Sequence, residues 1–318
     1  MKMKSAVNPY LAIGFAILAV STASIFIRLA QREAPSLIIA AARMTIAFIL
    51  LAPSTMIRKW REMAAISIKT WLLIALSGLL LAMHFASWIT SLEKTSVASS
   101  VVLVTTAPLW VALLSTLLLR ERLTKFVIIG LIVALMGGVV VGLSQICTSG
   151  FSKLSCESIN QFFSSSTTAG NLLALAGAIF SSGYLIIGRV VRKTVSLESY
   201  IFLVYGIAAI ALVILVAFNR QSFIGFGSQT YLFMFLIALI PQLIGHSTYN
   251  WALKYLSAVF VSIALLGEPI GSAILAFIFL KEPPTIFEII GGVLIFTGII
   301  VASQAELRNH RLNLNAET

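Results

Sequence analysis

The chain repeats itself at an offset of 161 residues, and the register holds from its first apolar segment to its last. Arg28 falls on Arg189, Ser21 on Ser182, Leu92 on Leu253, Ser96 on Ser257, Pro108 on Pro269, Glu121 on Glu282 and Thr124 on Thr285. Ile128-Ile129-Gly130 matches Ile289-Ile290-Gly291, and Gly137 lands on Gly298. Matched prolines and glycines inside otherwise featureless apolar runs are not a product of composition bias, so the chain reads as an internal duplication. Each copy must be one structural unit, and the fold must use that unit twice.

The solvent of that unit follows from 59% hydrophobic and only 10% charged residues. Soluble domains carry roughly 25% charged residues, so this is an integral membrane protein. A hydrocarbon core about 30 Å thick needs about 20 apolar residues per spanning helix. Ten spans are predicted: 9–29, 35–53, 71–92, 97–119, 126–144, 170–188, 198–218, 231–253, 258–280 and 287–304. They lack the roughly ten-residue apolar/polar alternation of a membrane barrel.

The expected fold is therefore all-α integral membrane, with ten transmembrane helices as two inverted five-helix repeats. An odd number of crossings per copy sends the second copy into the bilayer upside down, the arrangement of many secondary carriers. The division is 1–148 for the first repeat, 149–169 for an outer linker loop, 170–304 for the second repeat and 305–318 for a cytoplasmic tail.

Loop charge orients the bundle. With the N-terminus in the cytoplasm, fifteen Lys and Arg, among them Lys2, Lys4, Arg58, Arg120, Arg189 and Arg308, gather on one side. Six (Arg28, Arg32, Lys94, Lys153, Arg220 and Lys281) fall on the other. The positive-inside rule then puts both termini in the cytoplasm of a bacterial inner (plasma) membrane. Topology thus accounts for the net charge of +11, and no nucleic-acid partner is expected. The Lys2/Lys4 start reads as an uncleaved first helix, since Tyr10 to Ile27 exceeds a signal-peptide apolar core. The loop of about 145–169 is Ser/Thr-rich and reads as a linker. It holds the only two cysteines, Cys147 and Cys156, as a disulfide or as two thiols.

Thr285 with Glu288 three residues on is a capping box for the last span. Glu121 and Glu282, at the ends of the fourth and ninth spans, read as caps and loop partners. The fifth and tenth spans are almost bare of polar groups, and their glycines (Gly130, Gly137, Gly138, Gly142; Gly291, Gly292, Gly298) suit close packing. These two spans are expected outside the pathway, as support or as a homodimer face.

Polar side chains inside spans must find partners in protein or water. The first span carries Ser21, Ser24 and Arg28 on one face, the third His84, Ser87, Trp88 and Ser91, and the eighth Gln242, His246, Tyr249 and Asn250. These stripes are expected to face a shared polar cavity; interhelical bonding is the alternative. Trp88 maps on Tyr249 under the repeat. Arg43 and Glu268 lie near the midplane, each costing at least about 2.5–3.5 kcal/mol there. Their repeat-mates are Val204 and Ala107. Neither charge is required by the duplicated unit, so both point to function, with a buried Arg43–Glu268 ion pair as the competing reading. Pro108 and Pro269 each free the carbonyl four residues earlier. With Gly267 and Gly271 they are candidate gating positions.

At this point the chain resembles the EamA-type carriers of the drug/metabolite transporter superfamily. The resemblance rests on Ala107-Pro108 to Glu121-Arg122-Leu123-Thr124 and Glu268-Pro269 to Glu282-Pro283-Pro284-Thr285, within two five-helix copies over about 8–304. It implies helices 1–4 and 6–9 around a central cavity, with 5 and 10 outside. It also implies export of amino acids, their derivatives or other small metabolites, while some relatives resemble S-adenosylmethionine importers. Pro283-Pro284 departs from Arg122-Leu123 and stiffens one link.

A membrane enzyme acting on lipid phosphates usually needs acidic metal sites, and this chain has no aspartate. No cofactor, metal or catalytic residue is expected. A channel is the other rival. The expected function is a secondary transporter working by alternating access, moving a small amphipathic metabolite, an amino acid or derivative, or alternatively S-adenosylmethionine or a nucleoside-like compound. Arg43 would hold a carboxylate, Glu268 an amine or coupling proton, and Trp88 and Tyr249 the apolar body. His84, Tyr184, Gln242, His246 and Asn250 complete the expected binding set. The expected partners are that metabolite and the lipid bilayer.

Overall fold

Asn8 starts the first helix: its side chain accepts the Tyr10 backbone N–H at 3.0 Å, and Pro9 supplies a φ already suited to a first helical turn. Ser67, Ser96 and Ser196 cap later helices in the same way. The computed structural model describes residues 8–119, 125–143, 147–149, 154–156, 166–256, 258–265 and 267–316. The sequence readings placed on Lys2, Lys4, Glu121, Thr124 and Ser257 fall outside the described residues.

In chain order the helices are α1 (Pro9–Ser21), α2 (Ala23–Ala30), α3 (Ser36–Ala64), α4 (Ile68–Lys94), α5 (Val97–Val104), α6 (Ala107–Leu119) and α7 (Lys125–Leu143). Two three-residue strands follow, β1 (Cys147–Ser149) and β2 (Leu154–Cys156). Then come α8 (Ser166–Val191), α9 (Leu197–Phe218), α10 (Ser228–Ile237), a π-helical stretch Ala238–His246, α11 (Ser247–Ala252), α12 (Ala258–Ala264), α13 (Gly267–Leu275), a second π-helical stretch Ala276–Leu280, and α14 (Ile286–Ala316). Among the described residues, seven helices are long and apolar enough to cross a membrane, and the apolar Gly267–Leu280 and Ile286–Gly298 are shorter. Large apolar side chains such as Phe15, Leu18, Ile210 and Phe277 point outward, as they must where the solvent is hydrocarbon.

Three boundaries differ from the sequence reading. The second span continues past 53 to Ala64, carried through Pro53 by a polar end in which Lys59 and Glu62 pair at 3.5 Å. The tail from 305 continues the last helix to Ala316. The linker contains an antiparallel ladder whose register sets Cys147 opposite Cys156.

The duplication reappears as matched bonds. Arg28 donates to the Leu92 carbonyl at 2.6 Å, and its repeat-mate Arg189 donates to the Leu253 carbonyl at 2.6 Å. Ser21 donates to the carbonyls of Ile17 (2.8 Å) and Glu268 (3.4 Å), and Ser182 to those of Ala178 (2.6 Å) and Ala107 (3.0 Å). Packing follows the same rule across the copies. The third span lies on the sixth and the eighth on the first; the fourth lies on the sixth and the ninth on the first; the second lies on the seventh. Each copy therefore buries its faces against the other.

α7 and α14 form one of the most extensive pairs, and glycine makes it close. A Cβ at Gly137 would meet the Gly291 carbonyl at 2.6 Å and Ile295 at 2.8 Å; at Gly298 it would meet the Gly130 carbonyl and the Ala134 nitrogen. The faces that carry Gly137 and Gly298 are thus consumed within the chain, while a Cβ at Gly292 would meet nothing within 4 Å.

The fourth and ninth spans are broken at matched places. α5 ends at Val104, Thr105 and Thr106 form a turn, and Pro108 is the second residue of α6. The Thr105 hydroxyl turns back onto the Val101 carbonyl at 2.8 Å and Thr106 onto Leu103 at 2.7 Å, adding to the bonds that their own backbone N–H groups make to the same carbonyls and keeping both hydroxyls satisfied inside the span. In the ninth span α12 ends at Ala264 and Pro269 is the third residue of α13. Each proline sits where a missing N–H costs least.

Candidate functional site

The two breaks open onto a cavity where the copies meet. His84 and Trp88, one turn apart on α4, face it from the third span; Tyr184 and Ser181 come from α8, Thr105 and Ala107 from the first break, and His246, Tyr249 and Glu268 from the eighth and ninth spans. Val104, Leu185 and Leu265 complete the wall. The space open to the centre of a water molecule is about 40 Å³, room for a few waters.

The walls are aromatic and ordered. The His84 and Trp88 rings stack at 6.0 Å with 11° between planes, His246 lies 6.4 Å from His84, and the edge of Tyr249 meets His246 at 6.1 Å. His84 Nδ1 lies 2.9 Å from the Gly177 carbonyl, which only accepts, so Nδ1 carries the proton and the ring is held in one orientation. The absence of a side chain at Gly177 lets α8 approach: a Cβ there would already touch Trp88 at 3.3 Å. Asn250 donates to the Tyr184 hydroxyl and to the His246 carbonyl (2.8 Å), tying the sixth span to the eighth.

Several polar atoms at this centre are buried without a hydrogen-bond partner. They include Trp88 Nε1 and the Tyr249 hydroxyl, which are repeat-mates, together with Asn250 Oδ1. The Glu268 side chain is 5% exposed, and among the described residues its carboxylate accepts no hydrogen bond and forms no ion pair. Buried polar atoms are normally satisfied, so these atoms are left for water or a polar ligand to meet.

The structure redistributes the residues singled out by sequence. His84, Trp88, Tyr184, His246, Tyr249 and Glu268 line the cavity; Arg43, Gln242 and Asn250 stand behind it. The Arg43–Glu268 ion pair is absent. Arg43 Nε instead donates to Gln242 Oε1 at 2.7 Å, and its guanidinium lies 3.9 Å above the Phe85 ring. The first-span stripe serves packing rather than the cavity: Ser21 bonds carbonyls, and Arg28 sits at the span's end in a 2.8 Å ion pair with Glu282. Glu282 also accepts the Val97 N–H at 3.3 Å. Gly267 and Gly271 lie against α1, where a Cβ would meet Ile17 at 2.7 Å and Ser21 at 2.6 Å. The capping box forms, with Thr285 N to Glu288 at 2.7 Å and Glu288 N to Thr285 at 3.2 Å. Its second carboxylate oxygen takes Ser96 at 2.5 Å and Ser99 at 2.7 Å.

Sequence reasoning missed Phe85, Thr105, Ser181 and the π-helical stretch around Pro241. A signal for the last was present, since Pro241 directly precedes Gln242 and forbids a regular ladder there.

The EamA-like transporter family matches this chain twice, over residues 8–143 and 168–304, once per copy. The chain is 24% identical over 220 residues to the uncharacterized transporter YyaM of Bacillus subtilis, covering 69% of this chain and 68% of that one. It is 24% identical over 240 residues to the uncharacterized transporter YxxF of the same organism, covering 76% and 71%. A solved protein crystal structure shares the fold at a TM-score of 0.65 and 20% identity, over 94% of this chain and 98% of the other.

Proposed function

The chain belongs to the EamA-like transporter family, and on that premise we propose that it is a secondary carrier moving a small amphipathic, amine-bearing metabolite, an amino acid or derivative, by alternating access. It does so in a bacterial inner membrane with both termini cytoplasmic, through ten spans arranged as two inverted repeats. Support for the repeat geometry comes from the matched Arg28 and Arg189 bonds and the doubled cross-copy pairings. Support for orientation is the fifteen-to-six loop charge.

One observation carries the binding site. Among the described residues Glu268 is the only carboxylate lining a cavity of aromatic rings, it lies beside a break in its helix, and it forms no ion pair. An amine supplies the missing positive charge and donors, while Trp88, Tyr184 and Tyr249 hold the apolar body. Pro108 and Pro269 act at the breaks, where backbone rearranges without loss of regular helix. Gly267 and Gly271 let α13 slide against α1. The stacked face of His84 and Trp88 favours a second reading, a planar nucleoside-like or S-adenosylmethionine cargo. A homodimer through the fifth and tenth spans would use their outward residues, such as Ile129, Met136 and Val293, because the faces of Gly137 and Gly298 are already filled.

Uptake of a radiolabelled panel of amino acids, their amides, nucleosides and S-adenosylmethionine into proteoliposomes identifies the cargo. Saturation and counterflow separate a carrier from a channel. Glu268→Gln keeps the shape and removes the charge. It lowers affinity for amines if Glu268 reads the cargo, or keeps exchange and loses pH-driven accumulation if Glu268 carries the coupling proton. Unchanged affinity together with unchanged accumulation refutes both roles.

A further inference from the structure

Arg43 is a fully buried cation on α3, and among the described residues no carboxylate lies within 4.0 Å of it; the opposite charge nearest to hand in the interior, Glu268, acts on it only at a distance. Its contacts leave one edge unused. Phe85 covers a face of the guanidinium, Gln242 Oε1 takes Nε, and both terminal nitrogens, Nη1 and Nη2, have no acceptor. The amide nitrogen of Gln242 is buried and unpartnered as well, and it is held near the same guanidinium by the bond its own oxygen makes. Three donor nitrogens therefore gather beside one positive charge, with the Tyr205 hydroxyl next to the Gln242 side chain as the neighbouring polar group.

Water can satisfy donors but cannot neutralise a buried cation, and an isolated charge in a low-dielectric interior is costly unless it is paired. The Phe85 face contributes a cation–π attraction but accepts no hydrogen bond. The amide nitrogen and the guanidinium edge together form a donor-rich cradle, which fits an acceptor-only group of single negative charge. It lies behind the cavity wall, with the Phe85 and His246 rings 5.4 Å apart in front of it.

We propose that the terminal nitrogens of Arg43 and the amide nitrogen of Gln242 form a subsite for a small monovalent anion, set behind the aromatic wall of the central cavity. The occupant is either a free anion such as chloride or the carboxylate end of the transported metabolite. Only the second source rests on the carrier reading. With the anion in place Arg43 is neutralised, and the charge left in the interior is Glu268 in the wall, which the amine of a bound cargo would balance.

Thermal melting of the purified full chain in detergent tests this without any transport. Chloride and, separately, acetate are titrated at constant ionic strength in isethionate, a bulkier sulfonate. Wild type should show a melting temperature that rises and saturates, by roughly 3 °C at ten-fold excess over the dissociation constant. Gln242→Glu places a tethered carboxylate beside Arg43, so it should melt higher than Gln242→Ala in isethionate and lose the anion response. Arg43→Gln should lose the response too, and if it fails to fold the Gln242 pair still decides. Absence of a saturable shift with both anions, or a shift that survives in Gln242→Glu, overturns the proposal.

Proteoliposomes then separate the sources. A free-anion occupant makes counterflow require chloride, whereas a cargo carboxylate makes chloride a competitive inhibitor. Failure of uptake with an intact melting response would sink the carrier reading and leave the subsite standing.

Discussion

Gly137 and Gly298 bring α7 and α14 into backbone contact, so replacing either with alanine should force the helices apart. The added methyl at Gly137 meets a carbonyl oxygen at 2.6 Å and a backbone nitrogen at 2.8 Å; at Gly298 it meets the Ala134 nitrogen at 2.7 Å. Backbone atoms cannot rotate away as a side-chain tip can. Ordinary contact then requires a separation of roughly 0.6–0.8 Å, and a gap of that order forfeits about a quarter to a half of each dispersion well. Overpacking of this kind costs about 1–3 kcal/mol.

The control lies on the same helix. A methyl group at Gly292 would have no neighbour within 4 Å, so Gly292→Ala should be neutral or should gain up to about 1 kcal/mol of helix propensity. Gly137→Ala and Gly298→Ala should each lower the melting temperature in detergent. The double variant should cost less than the sum, because one outward shift of α14 relieves both clashes. Since neither glycine borders the cavity, transport per folded molecule should be kept. Strict additivity, or Gly298→Ala indistinguishable from Gly292→Ala, would refute the shared-interface reasoning.

Two further outcomes follow from the geometry. Glu33, in the exposed turn before α3, accepts Thr230 Oγ1 and the Gly227 N–H, both at 2.7 Å, and these two bonds hold its carboxyl below its ordinary 4.5. A depressed folded-state value stabilises fully above the unfolded value and is lost as pH falls through the folded one. Glu33→Gln should therefore melt below wild type at pH 7, with the difference closing in acid; a gap constant with pH removes the linkage. Pro269→Ala restores an N–H that can bond the Leu265 carbonyl, now taken by Glu268 N at 3.0 Å. Stiffening the break should slow counterflow more than it weakens cargo affinity, and wild-type rates would remove Pro269 from gating.

The repeat was legible because glycine and proline leave marks that apolar substitution cannot blur. Gly137 and Gly298 fall on matched positions in sequence and make matched contacts in space, Gly137 with Gly291 and Ile295 and Gly298 with Gly130 and Ala134. The capping box at Thr285 and Glu288 was legible for a similar reason, since its chemistry is local. Depth behind the wall was not. A helical stripe says which residues share a face, but the π-helical stretch Ala238–His246 turns that face partway along. Gln242, His246, Tyr249 and Asn250 therefore divide. His246 and Tyr249 reach the cavity, Gln242 meets Arg43, and Asn250 meets Tyr184. For Arg43 the position near the midplane allowed a cargo carboxylate or an ion pair with Glu268, and sequence held nothing to show that Phe85 and Gln242 would contact it.

How one unit used twice can carry an unsymmetrical site follows from the atoms that hold the copies together. Ser21 and Ser182 fasten the first span to the ninth and the sixth to the fourth by bonding the main-chain carbonyls of Glu268 and Ala107. A carbonyl is present whatever the side chain, so those two positions keep the joint while their side chains vary. Arg28 and Arg189 use the Leu92 and Leu253 carbonyls by the same logic. The frame thus places a free side-chain position at the edge of the cavity in each copy. The chain fills one with a carboxylate and leaves the other as a methyl, giving the cavity a charged side without disturbing the contacts that hold it.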